Sequence, residues 1–362
     1  MKVRFSNLSL QFREISESIN DVTKVLESGN YVSGKNVSRF EEKFAAFSES
    51  KFAIAVNSGT SALHVSLEVL GIGAGDEVLV PSHTFIATVN AVLLSGAKPV
   101  FVDVESNGLM DLADLRKKIS KKSVAVIPVH LYGSTVSEEL MNFCKSIPLR
   151  IIEDASQAHG ARFPSGKQVG FYGDLTAYSL YPGKNLGAAG EAGIITTNEF
   201  GLERSARLVK NWGSSNKYTH EIFGLNYRMD EIQAVILLKK LELLSGWNIE
   251  RRRLANIYLS TLMNVEVVNS PKGTPVYHQF VIRTKKRTEL IGWLNSNEIE
   301  TGIHYPIPSH LQPFINEKFP GITKLDMTEK LSREILSLPL YPGLMDCEVE
   351  YVCKKINEFF ST

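Results

Sequence analysis

Three cysteines among 362 residues are too few, and odd in number, for a disulfide scaffold. Cys347 and Cys353 stand six apart, with no CxxC spacing and no histidine pair nearby, so a zinc or redox site is not expected. With Cys144 they read as buried or free thiols of a reducing cytoplasm. Long apolar runs are also missing. No stretch approaches the ~18 apolar residues of a membrane span. The opening MKVRFSNLSLQFREISESIN lacks the apolar core of a secretion signal. Nor is there an excess of one charge. The net charge is +1, with acids and bases interspersed, which gives no basis for a nucleic-acid footprint or a polybasic membrane patch. Internal repeats and low-complexity linkers are absent. What remains is ordinary globular composition, long enough for roughly two domains.

The first two-thirds alternates short β-branched runs with helical patterns. FAIAVNSG reads as a strand into a turn, and TSALHVSLEVLG as a helix ending at Gly71. DEVLVPS, KPVFVDV, SVAVIPVHLYG, LRIIEDASQAHG, DLTAYSL and AGIITTN supply further strands, with helices between several of them. Val/Ile runs without polar alternation suit strands covered on both faces, as in a mainly parallel α/β sheet. Such sheets bind ligands beyond the carboxyl ends of their strands. From about residue 230 a long amphipathic helix reads as a connector, with a break expected near Gly246. Beyond it a small α+β domain is expected. The division is therefore 1–245 for a large domain and 246–362 for a small one.

Four strand ends carry polar groups of interest. In NSGTSAL a strand opens into a helix, whose first N–H groups suit an anion and whose Ser and Thr equally suit a plain cap. In PSHTFIA, His83 and Phe85 follow a strand, and Phe85 suits either a flat ring or the core. In IIEDASQAHGA a strand delivers Asp154 to the sheet edge, where a carboxylate needs a partner; Gln157 follows one helical turn later. In YSLYPGKNLG, Lys184 stands five residues after Ser179 and three after Tyr181. A desolvated lysine becomes a nucleophile, and an ordinary loop lysine does not. Together the four are an anion site, a stacking face, a carboxylate and an amine. That set matches the needs of pyridoxal phosphate (PLP).

The chain resembles the DegT/DnrJ/EryC1/StrS group of sugar aminotransferases, a branch of the fold-type I PLP enzymes. NSGTSAL, PSHTFIATVNAV, GAKPVFVDV, VIPVHLYG, IIEDASQAHGA, GDLTAYSLYPGKNLGAAGEAGIITTN, GLNYRMDEIQA and HYPIPSHLQP carry the resemblance, in family order along nearly the whole chain. It implies an α/β PLP-transferase fold with a mainly parallel central sheet and a smaller C-terminal α+β domain. It implies that Lys184 forms the Schiff base and shuttles the proton, and that Asp154 pairs with the pyridine nitrogen. Gln157 would sit by the ring oxygen and Phe85 on the ring face. Gly59, Thr60, Ser61 and Ser179 would hold the phosphate, with Asn226 reaching it from the neighbouring subunit of a homodimer. Glu191 stands where the family more often has Asp, and a structural acidic role is expected for it.

The resemblance further implies transamination from L-glutamate to a nucleotide-linked keto sugar, with pyridoxamine phosphate as the intermediate form of the cofactor. GIHYPIPSHLQP favours a dTDP-3-keto-6-deoxyhexose, giving a 3-amino-3,6-dideoxy sugar; a 4-keto substrate is the alternative. His304, Tyr305, His310 and Tyr181 are candidate substrate contacts, although His304 and His310 suit loop ordering equally. A dehydratase relative would carry His in place of Lys184. A desulfurase would need a mobile reactive cysteine, which a terminal helical pattern does not offer. An amino-acid aminotransferase would use an arginine such as Arg283.

Overall fold

The computed structural model describes residues 1–361. Three helices open the chain: α1 (Leu8–Glu14), α2 (Ser18–Ser28) and α3 (Lys35–Phe47). A seven-stranded sheet follows, built from β1 (Phe52–Val56), β2 (Glu77–Pro81), β3 (Lys98–Val102), β4 (Ser123–Val126), β5 (Arg150–Asp154), β6 (Leu175–Ser179) and β7 (Gly193–Thr197). Their spatial order is β1-β7-β6-β5-β4-β2-β3. β7 runs antiparallel to both neighbours, and every other pairing is parallel.

The expected mainly parallel sheet is present, and its strands are covered on both faces. In β1, Ala53 and Ala55 join one apolar core while Ile54 and Val56 join the other, because successive side chains point to opposite faces. Between the strands lie α4 (Gly59–Val69), α5 (Ala87–Leu94), α6 (Leu112–Lys118) and α7 (Glu138–Lys145), and α8 (Phe200–Val209) follows β7. Leu63, Val89 and Val209 place α4, α5 and α8 on one face; Phe44, Leu115 and Leu140 place α3, α6 and α7 on the other. A hairpin of β8 (Ser214–Asn216) and β9 (Thr219–His220) projects beyond α8.

The long helix α9 (Glu231–Thr261) runs unbroken through Gly246, contrary to expectation. Gly246 is exposed, while Leu244 and Trp247 beside it are buried, so flanking packing carries the helix across the weak residue. Leu237 and Leu244 lie in the core of the large unit; Leu254, Ala255 and Tyr258 lie in the core of the small one. That second unit has an antiparallel sheet of β10 (Glu266–Val267), β11 (Phe280–Arg283) and β12 (Ile335–Leu338). On it pack α10 (Arg287–Ser296) and α13 (Asp346–Ser361), while α11 (Pro313–Lys318) and α12 (Asp326–Glu334) put Ile315 and Leu331 into the two cores of the large sheet. The chain start also joins the small unit: Val3 bridges Ile299 and lies in its core. Cys144 and Cys353 are free and buried, and Cys347 is exposed. No helix among the described residues is long and apolar enough to cross a membrane.

Candidate active site

Parallel strands deliver their carboxyl ends to one edge, and the candidate residues gather there. Asp154 ends β5, Ser179 ends β6, and the turn after β1 opens α4. Ser82 to Phe85 follow β2.

The turn after β1 is built from within. Ser58 caps α4 by accepting from Ser61 N at 3.0 Å. The Ser61 hydroxyl donates to Asn57 Oδ1 at 2.6 Å. Ser61 therefore shapes the turn, and the first N–H groups of the helix, at Gly59 and Thr60, carry the anion-binding potential. Gly59 is required by close approach. A Cβ there would lie 2.6 Å from Ser179 Cβ and 2.9 Å from Ser179 Cα. That contact sets the end of β6, with the Ser179 hydroxyl, against the turn.

Asp154 is buried. Its carboxylate accepts from Thr88 Oγ1 at 2.8 Å and from Ser156 N at 3.1 Å. Thr84 lies 3.0 Å from Thr88 Oγ1, and since the Thr88 proton goes to Asp154, Thr84 is the donor. Gln157 is buried with both ends used: Tyr132 N donates to its Oε1 at 2.7 Å, and its Nε2 donates to the Tyr305 hydroxyl at 3.2 Å. Phe85 is 53% exposed, touching Tyr305 at a centroid distance of 5.6 Å, so a ring face stays open to a planar ligand.

Lys184 sits in a tight loop. Its N–H donates to Tyr181 O at 2.8 Å, and Ala188 N returns to Leu180 O at 2.8 Å. Asn185 anchors the loop from beneath, donating to Asn248 Oδ1 and Val276 O, both at 3.0 Å. The Lys184 side chain is half-buried overall. Burial pulls its amine pKa down to about 8, against the opposing pull of the Asp154 charge. The ammonium in turn depresses the neighbouring imidazoles, though burial is their larger cause. His159 falls to about 3, His304 to about 4, and His278 well below its ordinary value. His159 donates from Nε2 to Ser179 O at 2.9 Å, and its Nδ1 is buried without a hydrogen-bond partner.

The substrate candidates divide. Tyr181 is exposed beside Lys184. His304 bonds Ser337 Oγ through Nδ1 at 2.9 Å and stacks on Phe5, while Tyr305 faces Gln157 and Phe85. His310 is fully enclosed. Its Nδ1 is 2.6 Å from Ser82 Oγ and its Nε2 is 3.5 Å from Glu329, which is a loop-ordering position. Asn226 is exposed next to its own chain's Asn57, whose Nδ2 donates to Asn226 O at 3.4 Å; Arg228 holds the Asn226 carboxamide oxygen. Glu191 is exposed and, among the described residues, makes no hydrogen bond or ion pair; the structural role expected for its carboxylate is not seen. Arg283 is paired with Glu266 and Glu334 and is not open to a substrate carboxylate. Thr88 and Tyr132 were not singled out by sequence; Tyr132 stands in VIPVHLYG, which follows a strand as the other site segments do.

These residues fit PLP on the structure's own terms. A half-buried amine with a lowered pKa, a buried carboxylate, an open aromatic face and a helix start where a Cβ has no room stand at one sheet edge. Known proteins agree. The chain is 41% identical over 99% of its length to dTDP-3-amino-3,4,6-trideoxy-alpha-D-glucose transaminase of Streptomyces venezuelae, covering 96% of that protein. It is 39% identical, covering 99% of itself and 98% of the relative, to dTDP-3-amino-3,6-dideoxy-alpha-D-galactopyranose transaminase of Aneurinibacillus thermoaerophilus. The structure of NtdA from Bacillus subtilis, with bound cofactor PMP, superposes with a TM-score of 0.93 at 31% identity, covering 100% of this chain and 86% of that one. The profile of the DegT/DnrJ/EryC1/StrS aminotransferase family matches residues 13–357. The chain belongs to the DegT/DnrJ/EryC1/StrS aminotransferase family and is a PLP-dependent aminotransferase.

Proposed function

We propose that this enzyme moves an amino group from L-glutamate to a dTDP-3-keto-6-deoxyhexose, giving a dTDP-3-amino-3,6-dideoxy sugar. The observation that carries the transfer is that the Lys184 amine, its pKa lowered by burial, and the buried Asp154 carboxylate stand at one sheet edge, close enough for the Asp154 charge to act on the amine. The 3-keto position rests on the 3-amino sugars named in the two relatives.

PLP, when bound, supplies the carbonyl that takes up the amine and the ring that stores electrons. The chain does the rest. Lys184 Nζ is the base that would take the α-proton from glutamate and, in the sugar half, give a proton to the sugar carbon that receives the amine. A pKa near 8 puts it close to the ideal for a general base at neutral pH. Asp154, held by Thr88 and Ser156, keeps a proton on the nitrogen facing it. Phe85 would stack on the cofactor ring, Gln157 would sit by its oxygen, and Gly59, Thr60 and Ser179 would hold the phosphate.

We read the assembly as a homodimer with shared sites. The segment before Asn226 exposes Trp212, Tyr218, Ile222 and Phe223, with Tyr218 at 83% and Phe223 at 71%, apolar surface that a second copy would cover. Asn226, at the end of that segment, would then serve the neighbouring site. Free buried thiols suit a reducing cytoplasm.

The test is incubation with PLP, L-glutamate and, separately, dTDP-3-keto-6-deoxyglucose or dTDP-4-keto-6-deoxyglucose, with products read by mass spectrometry and NMR. Amine at sugar carbon 3 is expected. Amine at carbon 4 alone would overturn the substrate assignment in favour of the 4-keto sugar, and no amine on either would overturn both.

A further inference from the structure

One buried side chain at the site, given no role in the proposed reaction, bonds to residues from both ends of the chain. Tyr132 follows β4 with φ at 60°, the left-handed region. A bulky residue there is strained and persists where its surroundings over-determine it. Those surroundings are visible. Its N–H donates to Gln157 Oε1 at 2.7 Å. Its hydroxyl lies 2.5 Å from His304 O and 2.7 Å from His83 Nε2.

Proton counting settles the directions. A carbonyl only accepts, so the one hydroxyl proton goes to His304 O. His83 must then donate from Nε2 to the tyrosine oxygen. That leaves Nδ1 as its bare nitrogen, and Nδ1 is the His83 atom buried without a partner. Burial lowers the His83 pKa to about 4, so the ring is neutral at physiological pH and the tautomer is fixed. From Gln157 the chain continues through Nε2 to the Tyr305 hydroxyl. Two consecutive residues of the C-terminal unit, His304 and Tyr305, are thus both tied to Tyr132: one by its hydroxyl, the other through its amide and Gln157.

We infer that Tyr132 is a positioning residue for the sugar half of the reaction, holding the His304–Tyr305 segment as a preformed wall beside Lys184 and Phe85. This rests on the proposed function. Proton transfer needs Lys184 and Asp154, which the Tyr132 hydroxyl does not contact. A nucleotide sugar is far bulkier than glutamate and must rest against the wall. The segment is held from its other side by Ser337 Oγ on His304 Nδ1, so Ser337 is an independent handle on the same wall.

The experiment gives the PLP-loaded enzyme two amine donors in turn, L-glutamate and dTDP-3-amino-3,6-dideoxygalactose, and follows bleaching of the same visible band. Losing the hydroxyl's two buried hydrogen bonds, to His304 O and from His83 Nε2, should raise the half-saturating amino-sugar concentration about tenfold or more in Tyr132→Phe and leave that of glutamate within about twofold. Ser337→Ala should show the same split. Amide hydrogen exchange over residues 302–310 should quicken in both variants. Equal weakening with both donors would overturn the inference, as would unchanged kinetics with unchanged exchange. A wild-type enzyme bleached by glutamate and not by the amino sugar faults the substrate assignment instead. Exchange over 302–310 then decides the role of Tyr132 alone: quickening supports it, and no change overturns it.

Discussion

Thr88 Oγ1 donates to Asp154 Oδ2 at 2.8 Å, inside the sheet edge where both side chains are buried. Hydrogen bonds to a charged group contribute about 1.5–3 kcal/mol. This one holds the carboxylate in one orientation. Thr88→Val keeps the shape and removes the donor. It should lower kcat about tenfold or more, by the low end of that range. Thr88→Ser, which restores a hydroxyl, should recover most of the rate. Steady-state kinetics with saturating PLP check this, and a valine variant at wild-type rate would contradict it.

Lys184 should titrate near pH 8 in the PLP-free protein, because burial lowers its pKa to about 8. The reactive species is the neutral amine. Its fraction falls tenfold for each pH unit below 8 and is nearly constant above 9. Acetylation of Lys184 by trace acetic anhydride, read by mass spectrometry, should follow that curve. A solvated lysine keeps rising to about pH 10.4. A curve of the latter shape would contradict the buried amine.

Gly59→Ala should damage the phosphate turn. The new Cβ would sit 2.6 Å from Ser179 Cβ and 2.9 Å from backbone, neither of which is a flexible tip. Overpacking of this kind costs about 1–3 kcal/mol. The expected result is a lower melting temperature and PLP affinity weakened about tenfold, a loss of roughly 1.4 kcal/mol. Calorimetric PLP titration checks it; wild-type affinity would show that the turn can open without harm.

Gly246→Ala should act in the other direction. The position is helical, exposed and free of neighbours within 4 Å of a new Cβ. Alanine should stabilise α9 by about 0.5–1 kcal/mol. A fall in melting temperature would mean that the helix is broken at this point in solution.

The strands were legible because burial on both faces leaves continuous Val, Ile and Ala runs, and Asp154 stood out as a carboxylate ending one of them. Lys184 was legible as an amine in a Pro-Gly loop, but its lowered pKa comes from burial, and the long-range bonds of Asn185 to Asn248 and Val276 that seat the loop are recorded by no local pattern. Gly246 misled because helix propensity is weak beside the burial of Leu244 and Trp247. The helices α1 to α3 were overlooked although Phe40 and Phe44 carry helical spacing. Thr88 and Tyr132 matter through partners 66 and 172 residues away, Asp154 and His304, which local spacing cannot reveal. Ser61 was read as a phosphate donor; its proton is spent on Asn57.

The most direct measurement is a visible absorbance spectrum of the purified protein with PLP, before and after L-glutamate, repeated on Lys184→Ala. The wild type should show a yellow band that bleaches on glutamate, and the variant neither that band nor bleaching. A wild type with no band, or a variant that bleaches like it, would contradict the covalent role of Lys184.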